Sequence, residues 1–164
     1  MKRKLIATVL FISLFAISFD GATQQTYKSS FGLRGGNPSG ITGKHFLTSN
    51  TAVEGIFSFG WWGGFGVTAL YQIHNPLNLE GLPGFNWYYG LGAHLATSNT
   101  DRQSPWADTS GGTFFLGADG VVGLEYVFAE APISIGLDIL PILNIIDEVG
   151  IWFNAGLSVR YTIK

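Results

Sequence analysis

The chain contains no cysteine, which excludes a disulfide framework, a thiolate metal site and a lipid anchor carried on cysteine. Charge is also scarce. Only 12% of the residues are Asp, Glu, Lys or Arg, against about a quarter in an ordinary soluble domain. After Phe19 no long apolar run occurs, whereas a helix that crosses a bilayer needs about 20 consecutive apolar residues. The 164 residues fit a single domain. What the chain has in abundance is glycine, at 23 residues, and aromatics, at 15%.

The one continuous apolar segment opens the chain. Lys2, Arg3 and Lys4 precede a stretch from Leu5 to Phe19 that is apolar apart from Thr8, Ser13 and Ser18. That length is short for a membrane span and suits the h-region of a signal peptide. The pattern predicts a signal peptide over residues 1–22, cleaved after Ser18 or Ala22, and an exported domain over 23–164. Asp20 makes Ala22 the poorer site. Removing Lys2, Arg3 and Lys4 reduces nine basic residues to six, against eleven acids if cleavage after Ser18 keeps Asp20. The resulting net charge of −5 leaves no basic footprint for nucleic acid.

The body of the chain alternates with period two, the signature of strands. Gly and Asn-Pro punctuation divides it into eight segments, roughly 27–35, 40–48, 52–62, 64–74, 85–96, 113–128, 132–142 and 151–163. Successive strand side chains point to opposite faces, so parity separates the faces. In the fourth segment, for example, Phe65, Val67, Ala69, Tyr71 and Ile73 oppose Gly66, Thr68, Gln72 and His74. In the eighth, Ile151, Phe153, Leu157, Val159, Tyr161 and Ile163 oppose Asn154, Gly156, Ser158, Arg160 and Thr162. The first segment sets Tyr27, Phe31 and Leu33 against Lys28, Ser30, Gly32 and Arg34, with Ser29 out of pattern. Only the second is ambiguous, because Lys44 and His45 fall on opposite faces.

Alternation of this kind suits two architectures. A soluble sandwich or barrel buries its apolar face; a transmembrane barrel turns that face to lipid and its polar face to the lumen. The polar face here is small and glycine-rich. Its charges balance, with Lys28, Arg34, Lys44 and Arg160 against Glu54, Asp119, Glu125 and Asp138, as enclosed charges must if none is to be left unpaired. Aromatics crowd the segment ends, among them Trp61, Trp62, Phe65, Phe85, Trp87, Tyr126, Phe128, Trp152 and Phe153, where membrane barrels carry aromatic girdles. The expected fold is all-β: an eight-stranded antiparallel up-and-down transmembrane β-barrel following a signal peptide. An even strand number brings both chain ends to one side, the periplasm for an exported chain. The longest polar connection, Thr97 to Gly112, then falls on the outer side, and Ala129-Glu130-Ala131 makes a tight inner turn. Asn75 to Gly84 is long for an inner turn, and Trp62-Gly63-Gly64 short for an outer one.

The run Gly120-Val121-Val122-Gly123-Leu124-Glu125-Tyr126-Val127-Phe128, followed by Glu130-Ala131-Pro132 and Ile135-Gly136-Leu137-Asp138, resembles small outer-membrane β-barrel proteins of the OmpA/OmpX type. So do Asn86-Trp87-Tyr88-Tyr89-Gly90 with Gly92 and His94, and Gly40-Ile41-Thr42-Gly43-Lys44. The likeness covers about residues 27–164. It implies the cell outer membrane of a Gram-negative bacterium and no particular reaction, since the group includes many barrels with none assigned. Members usually end on an aromatic residue that the barrel-insertion machinery reads. Here Leu157, Val159, Tyr161 and Ile163 alternate as expected, but Lys164 follows.

No catalytic, cofactor or metal constellation emerges. The histidines are His45, His74 and His94. His74 and His94 share the polar face with Ser58, Ser134 and Ser158, which makes them the candidates for a lipid-modifying enzyme, yet nothing in the spacing gives a nucleophile its base. There is no metal-type histidine spacing or acidic loop, and Gly32, Gly35 and Gly36 precede no helix that could make a phosphate loop. Eight strands leave an interior that side chains fill, so no open pore is expected. A lipocalin-like carrier would need large apolar residues inward, where the charges are. The sequence therefore predicts a monomeric barrel in the lipid bilayer with a structural, adhesive or surface-interaction role, any extracellular partner meeting its loops.

Overall fold

A computed structural model describes residues 27–61, 64–77, 83–98, 113–146 and 150–164. The expected signal peptide and most of the Thr97 to Gly112 connection lie outside the described residues. Within them every regular element is a strand: β1 Ser29–Gly36, β2 Gly40–Phe46, β3 Thr51–Trp61, β4 Gly64–Pro76, β5 Phe85–Ser98, β6 Thr113–Val127, β7 Ile133–Ile146 and β8 Gly150–Ile163. Each pairs antiparallel with its neighbours in sequence, and β1 closes on β8 from Ser29↔Ile163 to Gly36↔Gly156. Closure leaves no sheet edge. The first strand begins and the last ends on the same side, called below the terminal end.

Strand bounds follow the sequence pattern closely except in β7, which runs on through Pro141 to Ile146. A proline has no N–H to give a ladder. The β6–β7 ladder skips from Val122↔Ile139 to Asp119↔Ile142 across this point without changing register, and on the other side Pro141 stays opposite Phe153 of β8. Gly120 makes room for the ring: a Cβ built there would lie 3.0 Å from Pro141 Cγ.

The wall is inverted relative to a soluble protein. Leu33, Phe65, Leu91, Leu137, Ile151 and Phe153 point outward and exposed. Arg34, Lys44, Glu54, Gln72, His94, Asp119, Glu125, Asp138 and Arg160 point inward and buried. The second segment's ambiguity resolves in the same sense. Lys44 is buried, whereas His45 is exposed on the outer wall and hydrogen-bonds Ser29 at 2.8 Å. Aromatic pairs gather at both ends of the wall. Phe57, Phe59 and Phe65 cluster at the end away from the termini, with Phe57–Phe59 ring centroids 4.9 Å apart. Trp87–Tyr89 and Phe85–Tyr126 pair at the terminal end, at 5.3 and 4.6 Å.

Tyr27 and Lys28 exchange the faces that parity assigns them. Tyr27 is buried and Lys28 exposed. The chain bends just before β1, so alternation does not extend to these two residues. The bend lets the Tyr27 ring meet Phe46 edge-on at 5.2 Å and leaves the Lys28 ammonium hydrated.

Candidate functional site: the enclosed polar interior

The inward residues of neighbouring strands fill the barrel in three groups. The largest centres on two acids. Glu54 of β3 accepts from Arg160 Nη2 of β8, from Thr42 Oγ1 of β2 at 2.5 Å and from Gln72 Nε2 of β4 at 2.7 Å. Glu125 of β6 accepts from the Tyr27 hydroxyl at 2.9 Å and from Ser134 Oγ at 3.2 Å. Arg160 Nη1 lies 3.6 Å from Glu125 as well. Lys44 Nζ sits between the two carboxylates, 3.7 Å from Glu54 and 3.5 Å from Glu125, and 4.4 Å from the centroid of the Tyr88 ring. Both cations thus face both acids, and the aromatic face adds to the attraction on Lys44.

A second group joins β1, β5 and β7. Arg34 grips Asp138 through two parallel bonds of 2.7 and 2.6 Å, the fork geometry that suits guanidinium and carboxylate. The Tyr88 hydroxyl donates to the same carboxylate at 2.9 Å. Because its ring also covers Lys44, Tyr88 ties the two groups together.

The third group lies nearer the other end. His94 Nδ1 is 2.7 Å from Asp119, and its Nε2 is 2.9 Å from Asn144 Oδ1. Ile56, Leu70, Ala96, Phe115, Val121, Leu140 and Ile142 surround the interior here, with Trp152 packed against them.

Of the eight charges that the sequence groups on the polar face, seven are buried in these clusters and Lys28 is not. Lys28 fails to join because the chain bends there, just ahead of β1, and leaves its side chain exposed. Three cations and four acids remain inside, and the fourth acid, Asp119, is met by His94. Asp119 therefore belongs with His94 and stands apart from Arg160.

His74 and His94, the residues singled out for possible catalysis, do not meet. His74 pairs with Tyr88 across β4–β5, and His94 with Thr68, six residues away along β4. The His74 ring stacks on Tyr88 with centroids 4.8 Å apart, and its Nε2 bonds Gln72. The hydroxyls of Ser58, Ser134 and Ser158 are engaged elsewhere. Ser58 donates to the Gly66 carbonyl, Ser134 to Glu125, and Ser158 accepts from Arg34 at 3.5 Å. This is the hydrogen-bonding pattern of a packed interior rather than that of a nucleophile held by its base.

Gln72 completes the interior as parity predicts, Tyr27 against parity, and Thr42, Tyr88 and Asn144 without having stood out in the sequence. Glycine was the available signal. A Cβ on Gly123 would lie 2.6 Å from Tyr88 Cζ, one on Gly136 3.0 Å from Arg160 Nη1, and one on Gly156 would strike the Arg34 guanidinium. Inward glycines mark where a large side chain from an adjacent strand crosses the lumen.

No family model matches the chain, and no curated protein matches it. Among solved structures, the N-terminal β-barrel domain of Pseudomonas aeruginosa OprF is similar over 84% of this chain and 98% of that one, with a TM-score of 0.61 and 17% identity. The likeness is one of fold: the chain forms a closed eight-stranded antiparallel barrel, as that domain does.

Proposed function

We propose that this protein resides in the bacterial outer membrane as a closed barrel, with a structural, adhesive or surface-interaction role carried by its outer connections. The observation that carries the reading is the inverted wall. Exposed large apolar side chains occur on all eight strands, while a soluble monomer rarely shows a contiguous apolar patch above a few hundred Å². Lipid is the solvent that such a wall fits, and antiparallel closure satisfies the backbone polar groups that lipid cannot. The linked ion pairs act as struts between opposite sides of the barrel. On this reading residues 1–22 are the export signal, the barrel-insertion machinery is the assembly partner, and the working unit is a monomer. Fractionation of cells with heat-modifiable gel mobility tests it. The protein is expected with the outer membrane and to migrate faster unboiled; recovery as a soluble periplasmic protein would refute the reading.

A further inference from the structure

The interior takes up Arg34, Lys44 and Arg160, so few cations remain for the outside. Among the described residues the exposed ones are Lys28 and Lys164, together with the exposed imidazole of His45. All three lie at one corner. Ser29 pairs across the sheet with His45 on one side and with Ile163 on the other. Lys28 therefore stands between the end of β2 and the end of β8, and the three basic groups span two strand spacings, about 10 Å. The Ser29 hydroxyl holds His45 Nδ1 at 2.8 Å, which orients the ring and keeps Nε2 for an outside ligand. Glu130, on the turn between β6 and β7, is the one exposed acid among the described residues; the β7–β8 register, Ile133↔Tyr161, brings that turn beside the end of β8, on the side of Lys164 away from Lys28 and His45.

Directly along the wall from these cations lies an apolar surface. Phe31 and Tyr161 pair across β1–β8 with ring centroids 5.8 Å apart, and both are about half exposed, as is Ile163. A basic edge next to an apolar wall has the two-part chemistry of a phospholipid: an anionic phosphate and acyl chains running away from it. Long basic side chains suit this place because their stems cover apolar surface while the charge stays at the headgroup level.

We propose that Lys28, His45 and Lys164 form a binding site for the phosphate headgroup of an anionic phospholipid in the leaflet at the terminal end, with its acyl chains against Phe31, Tyr161 and Ile163. The proposal rests on the membrane reading above and adds a headgroup preference to it.

Native mass spectrometry of the refolded barrel in detergent, offered equal amounts of phosphatidylglycerol and phosphatidylcholine, tests the site. The wild-type protein is expected to retain phosphatidylglycerol in preference. Lys28→Gln alone should lower that preference about five-fold, the factor corresponding to about 1 kcal/mol per cation near an anionic surface. Lys28→Gln with His45→Gln should abolish it. Equal retention of the two lipids by the wild type, or an unchanged preference in Lys28→Gln, would overturn the site. Lys28 lies before β1, bonds its neighbours through its backbone and exposes its side chain, so this variant keeps the readout should the double variant misfold. Insertion into pure phosphatidylcholine vesicles, followed by heat-modifiable mobility, separates the two levels. Insertion without headgroup preference leaves the membrane reading standing and removes only the site, whereas failure to insert counts against the membrane reading itself.

Discussion

Arg160 and Glu54 meet inside the barrel although 106 positions separate them in sequence, and both side chains are almost wholly buried. β1 and β2 stand between their strands, so the contact crosses the lumen rather than following the wall. Arg160 also faces Glu125 on β6, making one guanidinium the bridge between two sides of the molecule. A buried pair of this kind adds little over a well-packed apolar substitute, but removing one partner strands the other.

Arg160→Met should therefore destabilise the barrel by about 3 kcal/mol, because Glu54 and Glu125 lose one of the two cations they share and keep only Lys44 in a dry interior. Adding Glu54→Gln should recover part of that loss. Urea unfolding in detergent, followed by gel mobility or tryptophan fluorescence, measures both. A midpoint that Arg160→Met leaves unmoved would show the pair to be solvated.

Tyr88 contributes a hydroxyl to Asp138 and a ring to Lys44 and His74. Tyr88→Phe removes only the first and should cost about 1.5–3 kcal/mol, the range for a hydrogen bond to a charged group. Tyr88→Ala removes both and should cost more, about 3–5 kcal/mol as for other large aromatic truncations. Equal losses in the two variants would mean that the ring contributes nothing.

Two glycines make a matched comparison. Gly123→Ala places a methyl 2.6 Å from Tyr88 Cζ and 2.7 Å from the Leu137 carbonyl oxygen, whereas Gly55→Ala meets nothing within 4 Å. The first should destabilise by about 1–3 kcal/mol through overpacking, and the second should stay within about 0.5 kcal/mol of wild type, as surface substitutions do. The contrast is read from unfolding midpoints under identical conditions.

Leu91 lies on the outer wall midway along β5 and is 67% exposed. Leu91→Lys should cost about 2–4 kcal/mol in a bilayer, the range for a cation near the midplane of a barrel's lipid face. In a water-soluble protein the same change at so exposed a position would be nearly neutral. Folding equilibria in lipid vesicles distinguish the two outcomes.

His74→Ala and His94→Ala test the lipid-enzyme alternative. Each ring is held by interior partners, Gln72 and Tyr88 for His74, Asp119 and Asn144 for His94. The double variant should lose stability while the outer-membrane lipid profile stays as in wild type. A changed profile in a correctly assembled double variant would restore the enzymatic reading.

What the sequence determined by itself is which way each strand faces. Period-two alternation is local, so parity alone sends Phe65 outward and Gln72 inward, and an inward set carrying both charge signs alongside glycine already favours a lumen over a wetted surface. The expectation of a closed barrel follows from an even number of such segments, each joined to the next in sequence. Which charge meets which was not legible, because that depends on the stagger with which the sheet closes on itself, a property of all eight strands together. Only the tertiary structure decided that Arg160 serves Glu54 and Glu125, that His94 rather than a lysine meets Asp119, and that Tyr88 links the clusters. It also decided the exchange of Tyr27 and Lys28. Parity holds only while the backbone stays extended, and the chain bends at Lys28 even though its backbone bonds both flanking strands. There, filling the barrel end with a ring and hydrating an ammonium outweigh alternation.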